Sequence, residues 1–280
     1  MELSRGLENL PVTVWPPLNE PLAFEYSPDH VTAEGGGPDP SEITLPGCNC
    51  HSPSCLPSMC ACLHYGENYN NLCINCEGNG LDFSKPIFEC NTMCQCGEMC
   101  QNRVVQRGLQ FKLEVFKTTR KGWGVRTLEF IPKGRFVCEY AGEILNFREA
   151  YRRIRLQSSS DSNYIIVIRE HLSNGQVIET FVDPTYIGNV GRFLNHSCEP
   201  NLIMVPVRID SMVPKLALFA ACDISANEEL SYDYSGRYSN YFPFKKHEKL
   251  QEEEESKKTC YCEAKLCTGF LPYDRSLFCK

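Results

Sequence analysis

The sequence predicts a mainly β protein with short helices, flanked by zinc-cysteine modules. Two observations carry that expectation. From about Arg103 onward, short runs rich in Val, Ile, Phe and Tyr follow one another at close spacing. Nine of the eighteen cysteines fall into two tight groups, Cys48, Cys50, Cys55, Cys60, Cys62 and Cys90, Cys94, Cys96, Cys100, and three more return as Cys260-x-Cys262-x4-Cys267.

Residues 1–46 are rich in Pro and Gly, soft at Glu34 to Pro40, and show little apolar periodicity. They read as an arm draped on a domain or partly disordered. Residues 47–102 hold the two cysteine groups and few large apolar residues, so metal must substitute for a core there. Tetrahedral zinc takes four ligands, and nine thiolates complete three such sites only if three of them each bridge two ions. The C-x-C pairs suit that sharing, because one intervening residue makes a tight chelate loop. The spacing therefore predicts a structural three-zinc cluster. Cys73 and Cys76 lie outside both groups, and two thiolates alone do not complete a site, so they read as surface or loop thiols.

The body, 103–240, should contain strands at Gln110–Phe116, Phe136–Ile144, Asn163–Ile168, Val177–Val182, Leu202–Ile209 and Lys215–Ala221. Asn174-Gly175 marks a hairpin turn. Asn146 can cap one helix, on which Phe147, Tyr151 and Ile154 share a face. Residues 224–229 read as a polar turn. A charged insert, 241–259, has Glu252 to Glu255 in a block and reads as a solvated helix or hinge. Residues 260–280 form the last cysteine motif and a tail. Cys138, Cys222 and Cys279 have no partner set and read as buried or incidental thiols.

A formal net charge of -7 argues against a nucleic-acid-coating protein and suits a basic partner such as a cationic peptide. Zinc at every expected site would take the charge to roughly -12, since thiolate protons leave as the ions bind. Met1 to Leu10 is polar and lacks the apolar stretch of a secretory signal, and no run reaches the length of a membrane span. Dense disulfides belong mostly to small secreted domains, so the cysteines read as metal ligands of an intracellular protein with no membrane contact.

Three strings in the body are individually bland. Lys121-Gly122-Trp123-Gly124 is a turn, Arg192-Phe193-Leu194-Asn195-His196-Ser197-Cys198 a capped loop, and Glu229-Leu230-Ser231-Tyr232-Asp233-Tyr234 an edge strand. Their order, with Glu139-Tyr140-Ala141-Gly142-Glu143 between the first two, resembles SET-domain protein-lysine methyltransferases. The two cysteine groups resemble the pre-SET module and the final C-x-C-x4-C resembles the post-SET motif. The resemblance covers about residues 47–270. It points to the heterochromatin-type branch, and within it to the SET portion of a fusion with a mariner transposase.

That resemblance implies a pseudoknot of small twisted sheets, with Asn195–Ser197 threaded through the loop bearing Tyr232 to Tyr234. Such threading is an exception to the usual rule. It implies S-adenosylmethionine as methyl donor and a histone H3 tail lysine, on free histone or nucleosome, as acceptor. Gly122, Trp123, Gly124, Asn163, Tyr164, Arg192, Phe193, Asn195 and His196 would hold the donor, with Tyr238 covering its adenine. Tyr234 would sit at the transfer point, and Tyr140 and Tyr164 would line the lysine channel. Tyr232 occupies an aromatic gate that holds Phe or Tyr in the family, and its hydroxyl predicts mainly mono- and dimethylation. Cys198 would join Cys260, Cys262 and Cys267 around a fourth zinc. The resemblance places the protein on chromatin in the nucleus and leaves lysine 9, 36 and 4 open as targets. Transposase and DNA would engage through regions outside these residues. A chromatin-binding module with weak catalysis, and a methyltransferase of non-histone proteins, are the competing readings.

Overall fold

The computed structural model describes residues 1–17, 22–51, 53–75, 85–157, 162–172, 174–235 and 258–272. Tyr238, Cys76, Cys279 and all but the end of the charged insert lie outside them. Sixteen short strands and one α-helix make up the described chain, in the order β1 (Val12–Trp15), β2 (Glu25–Tyr26), β3 (Val31–Thr32), β4 (Tyr69–Asn70), β5 (Cys73–Ile74), β6 (Ile87–Phe88), β7 (Leu113–Lys117), β8 (Trp123–Thr127), β9 (Phe136–Glu139), β10 (Gly142–Leu145), α1 (Phe147–Leu156), β11 (Ile166–His171), β12 (Val177–Gly188), β13 (Asn195–His196), β14 (Leu202–Arg208), β15 (Lys215–Ala220) and β16 (Glu229–Tyr232). They form sheets ordered β1-β7-β8-β16-β13, β11-β12-β10-β3 with β2 beside β12, β6-β14-β15-β9, and β4-β5. The mainly β expectation holds.

Several boundaries move, each for a local reason. The stretch expected as one strand over Phe136–Ile144 is two strands in different sheets. Between them Tyr140 N–H donates to Leu216 O and Ala141 N–H to Asn189 Oδ1, turning the chain. Gly142 then passes so close to Pro184 that a Cβ would lie 2.7 Å from its nitrogen. Asn163 and Tyr164 precede β11, because Asn163 Oδ1 accepts from Ile165 N–H at 3.0 Å and holds a turn there. The arm is no loose drape: β1 pairs in parallel with β7, β2 with β12 and β3 with β10.

The helix and hairpin fall where expected. Asn146 accepts from Glu149 N–H at 2.8 Å, a side-chain N-cap. Ala150 and Ile154 are the residues the helix buries, while Phe147 and Tyr151 stack on each other at the rim and Phe147 meets Phe181 edge-on. Gly175 takes the positive φ of the turn between β11 and β12, at 82°.

The main core draws on the first three sheets and includes Leu113, Val125, Ile144, Val182, Leu218 and Leu230. A second cluster joins the cysteine module to the body through Ile87, Val104, Phe136, Val207 and Phe219. Glu89 pins that joint. Only 1% exposed, its carboxylate accepts from Tyr69 OH at 2.7 Å, Val105 N–H at 2.7 Å and Gln106 Nε2 at 2.8 Å. A buried carboxylate with that many donors is satisfied and stiff. The nine cysteines themselves, with Leu63, make the third core. Among the described residues no helix is long and apolar enough to cross a membrane.

Candidate active site and metal centres

The second and third strings meet through a parallel pair of strands. Asn195 lies opposite Ser231 and His196 opposite Tyr232, and Ser197 N–H donates to Tyr232 O at 3.1 Å. β16 also pairs with β8, which starts at Trp123 and so brings in the first string. All three strings thus lie within one sheet although the sequence separates them widely. Beside them is a cavity of about 120 Å³ lined by Lys121, Asn195, His196 and Tyr234 from the body and Thr259, Tyr261 and Leu271 from the C-terminal cysteine segment.

His196 is oriented by two contacts. Tyr234 N–H donates to Nδ1 at 3.2 Å, so the proton of the neutral ring sits on Nε2. That nitrogen lies 3.4 Å from Cys198 Sγ. Burial lowers the imidazole pKa despite Asp233 at 3.6 Å, which keeps the ring neutral. Neutral His196 therefore stands between the cavity and the Cys198 sulfur.

The tyrosines form a cluster of tilted and edge-on rings. Tyr232 lies 4.9 Å from Tyr234 and 6.0 Å from Tyr140, ring centre to ring centre. Tyr140 OH donates to Tyr164 O at 2.6 Å, and Tyr234 OH to Leu194 O at 2.8 Å. Burial pushes the pKa of Tyr140, Tyr232 and Tyr234 above the ordinary phenol value, so all three stay neutral at working pH. Tyr234 remains 37% exposed, which places it at the mouth of the cluster.

Other expected donor contacts are placed differently. Arg192 donates from Nε to Pro184 O at 3.0 Å and stacks on Phe24 at 4.2 Å and on Tyr164 at 4.6 Å. Its guanidinium braces the arm and the Tyr164 wall. Phe193 is buried and meets Phe24 edge-on. Trp123 carries Lys117 over its ring at 4.9 Å, and its carbonyl accepts from Asn195 Nδ2 at 3.1 Å. Gly122 is exposed at a positive φ of 74°, and Gly124 is buried. Asn163 is exposed beside Tyr164. Sequence reasoning missed Lys121, Glu229, Tyr261 and Thr259 as cavity or near-cavity residues. Each is inside or next to a recognised string, and that adjacency was the available signal.

Two sets of thiols gather as metal sites. Cys198, Cys260, Cys262 and Cys267 have sulfurs within 4.8 Å of one another, as do three overlapping quartets, Cys48–Cys55–Cys90–Cys96, Cys48–Cys60–Cys62–Cys90 and Cys48–Cys50–Cys55–Cys60. Tetrahedral zinc with bonds of about 2.3 Å needs sulfurs about 3.8 Å apart. Cys48 and Cys55 stand at 3.8 Å, Cys55 and Cys90 at 3.7 Å, and Cys62 and Cys94 at 3.6 Å, so the sulfurs fit zinc. Cys48 belongs to all three quartets, and Cys55, Cys60 and Cys90 to two each. A hydrogen bond with Cys90 lowers the Cys62 thiol to about 6 against the opposing effect of burial, while the same bond, with burial, pushes the Cys90 thiol up. Arg103 donates to Cys90 O and Asn91 O, each at 3.0 Å, and approaches Cys96 Sγ at 3.7 Å, a cation set against an anionic cluster. Cys100 and Cys94 belong to the same buried cluster.

The lining also suits a sulfonium cofactor that carries an amino-acid end. Tyr234 and Tyr261 offer aromatic rings and Asn195 an amide, while the Lys121 ammonium, 2.7 Å from Glu229, suits a carboxylate and not the charged sulfur.

Comparison with known proteins agrees with this geometry. The SET domain family model matches residues 122–235 and the Pre-SET motif model residues 4–103. The histone-lysine N-methyltransferase SETMAR of Homo sapiens is 63% identical over 280 residues, and that of Bos taurus 61%. This chain spans 41% of the human relative's length and 91% of the cattle one's. Among solved structures, the methyltransferase domain of human SETMAR superposes with a TM-score of 0.85 at 60% identity, covering 98% of both chains. KRYPTONITE in complex with mCHH DNA, an H3(1-15) peptide and SAH gives 0.70 at 30% identity, covering 97% of this chain and 53% of that one.

Proposed function

This chain belongs to the SET-domain histone-lysine N-methyltransferases, and from that premise we propose that it moves methyl groups from S-adenosylmethionine to a lysine of the histone H3 tail. The observation that carries the proposal is the β13–β16 pairing. It sets Asn195, His196 and Tyr234 around one cavity, with Tyr232 beside Tyr234 and Tyr140 edge-on to Tyr232. The H3 peptide and SAH held by KRYPTONITE support the same substrate class.

The bound donor supplies a methyl group on a positively charged sulfur. What the chain must do is deliver a neutral amine. A free lysine with pKa near 10.4 is neutral in only about one molecule in 2,500 at pH 7. Tyr140, Tyr164, Tyr232 and Tyr234 would form an apolar-walled channel that disfavours the ammonium and excludes water. Tyr234 holds its place through Leu194 O and Tyr140 through Tyr164 O, so the channel is braced before a lysine enters. Asn195 and His196 hold the donor side. Tyr232, with its hydroxyl turned toward Tyr140, narrows the channel and favours one or two methyl groups over three.

Cys198, Cys260, Cys262 and Cys267 would hold a closed structural zinc that clamps the C-terminal segment over the cavity. The other nine cysteines would hold three zinc ions, their sharing of sulfurs supported by the overlapping quartets. The corresponding division is an arm at 1–46, the cluster module at 47–102, the catalytic body at 103–240, the insert at 241–259 and the clamp at 260–280. Action on chromatin places the protein in the nucleus. Partnership with a fused transposase and DNA would belong to chain beyond these residues.

The test is product mapping on recombinant nucleosomes by mass spectrometry, reading site and methylation degree together. Methyl groups on one H3 lysine are expected. Methylation confined to non-histone peptides, or donor binding without any product, would overturn the assignment in favour of one of the two competing readings.

A further inference from the structure

Glu229 opens β16 and links two residues that line the cavity. Its Oε2 lies 2.7 Å from Lys121 Nζ, and its Oε1 accepts from Asn195 Nδ2 at 3.0 Å. The same Nδ2 donates to Trp123 O at 3.1 Å. Two acceptors therefore meet one side of the Asn195 amide, and only its NH₂ end satisfies both; a carbonyl oxygen there would face a carboxylate and another carbonyl. The orientation is fixed. Oδ1, an acceptor, is the polar atom that remains for the cavity.

We propose that Glu229 is a positioning residue of the methyl-donor site, fixing the Asn195 amide so that an oxygen is offered to the donor's amino-acid end and holding Lys121 beside it. The inference rests on the donor assignment above and deepens it. An amino-acid end is zwitterionic: its ammonium needs an acceptor, which Asn195 Oδ1 supplies, and its carboxylate is suited by a nearby ammonium. Without Glu229, Trp123 O alone would orient the amide, and a flip would present NH₂ to an ammonium. Lys121 would swing on its four-carbon stem, restrained only by the Thr118 turn, where Thr118 Oγ1 accepts from Lys121 N–H at 2.9 Å. Gly124 makes room for the bridge. A Cβ there would lie 3.0 Å from Asn195 Nδ2 and 3.1 Å from Glu229 Oε1.

The test titrates S-adenosylhomocysteine into the zinc-loaded chain by calorimetry and measures steady-state kinetics beside it. Glu229→Gln should weaken binding about tenfold, the scale of one hydrogen bond to a charged group. The donor KM should rise with it, while kcat at saturating donor and the peptide KM stay near wild type. Because Glu229 acts through Asn195 as well as Lys121, adding Glu229→Gln to Asn195→Ala should weaken binding by clearly less than the two single losses combined. Wild-type affinity in Glu229→Gln, or losses that add in full, would overturn the proposal. The swap Asn195→Asp with Glu229→Gln restores a donor–acceptor pair, and it should bind several-fold tighter than Asn195→Asp alone. That comparison decides the matter if Glu229→Gln proves unstable, and equal affinity in the two would refute the bridge. Failure of the wild-type chain to take up any S-adenosylhomocysteine would instead sink the donor assignment.

Discussion

Replacing Cys198 by Ser should empty the cavity of function without unfolding the sheets around it. Cys198 is buried and is one of four sulfurs gathered within 4.8 Å. The other three belong to residues 258–272, whose internal contacts, such as Cys260 N–H to Gly269 O at 3.0 Å, do not tie them to the body. Few other ties do. Lys265 N–H donates to Glu199 at 2.8 Å, Arg120 lies over the Tyr261 ring at 6.0 Å, and Arg120 pairs with Glu263 at 3.9 Å. The last pair is 62% and 77% exposed, so it contributes at most about 1 kcal/mol. With about 1 kcal/mol each for the hydrogen bond and the cation–π contact, these ties reach about 3 kcal/mol. Ordering a segment of that length costs about 1–2 kcal/mol per residue. A zinc site, on the order of 10–16 kcal/mol, is of the size needed. Without it Thr259, Tyr261 and Leu271 leave the cavity wall. Calorimetry with S-adenosylhomocysteine should then show affinity down by at least about a hundredfold, equivalent to losing two or three contacts. Near-UV circular dichroism and the main thermal transition should hardly change. A Cys198→Ser protein that binds the donor product as tightly as wild type would refute the reasoning.

Three other outcomes are expected. Tyr232→Phe removes a hydroxyl that faces Tyr140 and should raise the proportion of trimethyl product in mass spectra, while total turnover stays within a few-fold. Gly191→Ala puts a Cβ 2.5 Å from Glu139 O and 2.9 Å from Tyr140 Cα, so denaturant unfolding should show a loss of about 1–3 kcal/mol. His30 and His196 both have lowered pKa values, chiefly because they are buried; Glu139 opposes the shift at His30 and Lys215 reinforces it, with Asp29 and the Gly142 carbonyl also facing the ring. Each is neutral when folded and takes a proton when unfolded below about pH 6.5, so the stability it contributes is present above that value and lost as pH falls through it. Unfolding free energy should drop from pH 7 to 5 by up to about 1.4 kcal/mol per pH unit for each histidine, and His30→Gln should remove one proton's share of the slope. An unchanged slope in that variant would count against the burial argument.

Much of the site was readable because chemistry fixes residue types at short range. Thiol spacing marked the cysteine groups that could hold metal, and the strings marked the cavity, since Asn195, His196 and Tyr232 meet in the short β13–β16 pair and Tyr234 follows just beyond it. Long-range pairing was not readable. The arm's strands are two to four residues each and owe their existence to β7, β10 and β12, so no local periodicity marks them. The break at Tyr140–Ala141 is equally hidden, because Leu216 and Asn189 impose it from far along the chain. Arg192 shows another contact hidden from the sequence: Phe24 of the arm lies 4.2 Å from its guanidinium. Glu229 is the converse: a polar residue at the start of an ordinary strand becomes a bridge once β8 and β13 flank it.

The tyrosine cluster is the centre of the account, and Tyr234→Phe addresses it most directly. Transfer of isotopically labelled methyl to an H3 tail peptide should be followed on zinc-loaded wild type and variant, with donor affinity measured on the same samples. The account predicts donor affinity within a few-fold of wild type and transfer slower by about a hundredfold, as loss of the brace to Leu194 O misplaces the ring at the transfer point. Undiminished transfer by Tyr234→Phe would contradict it.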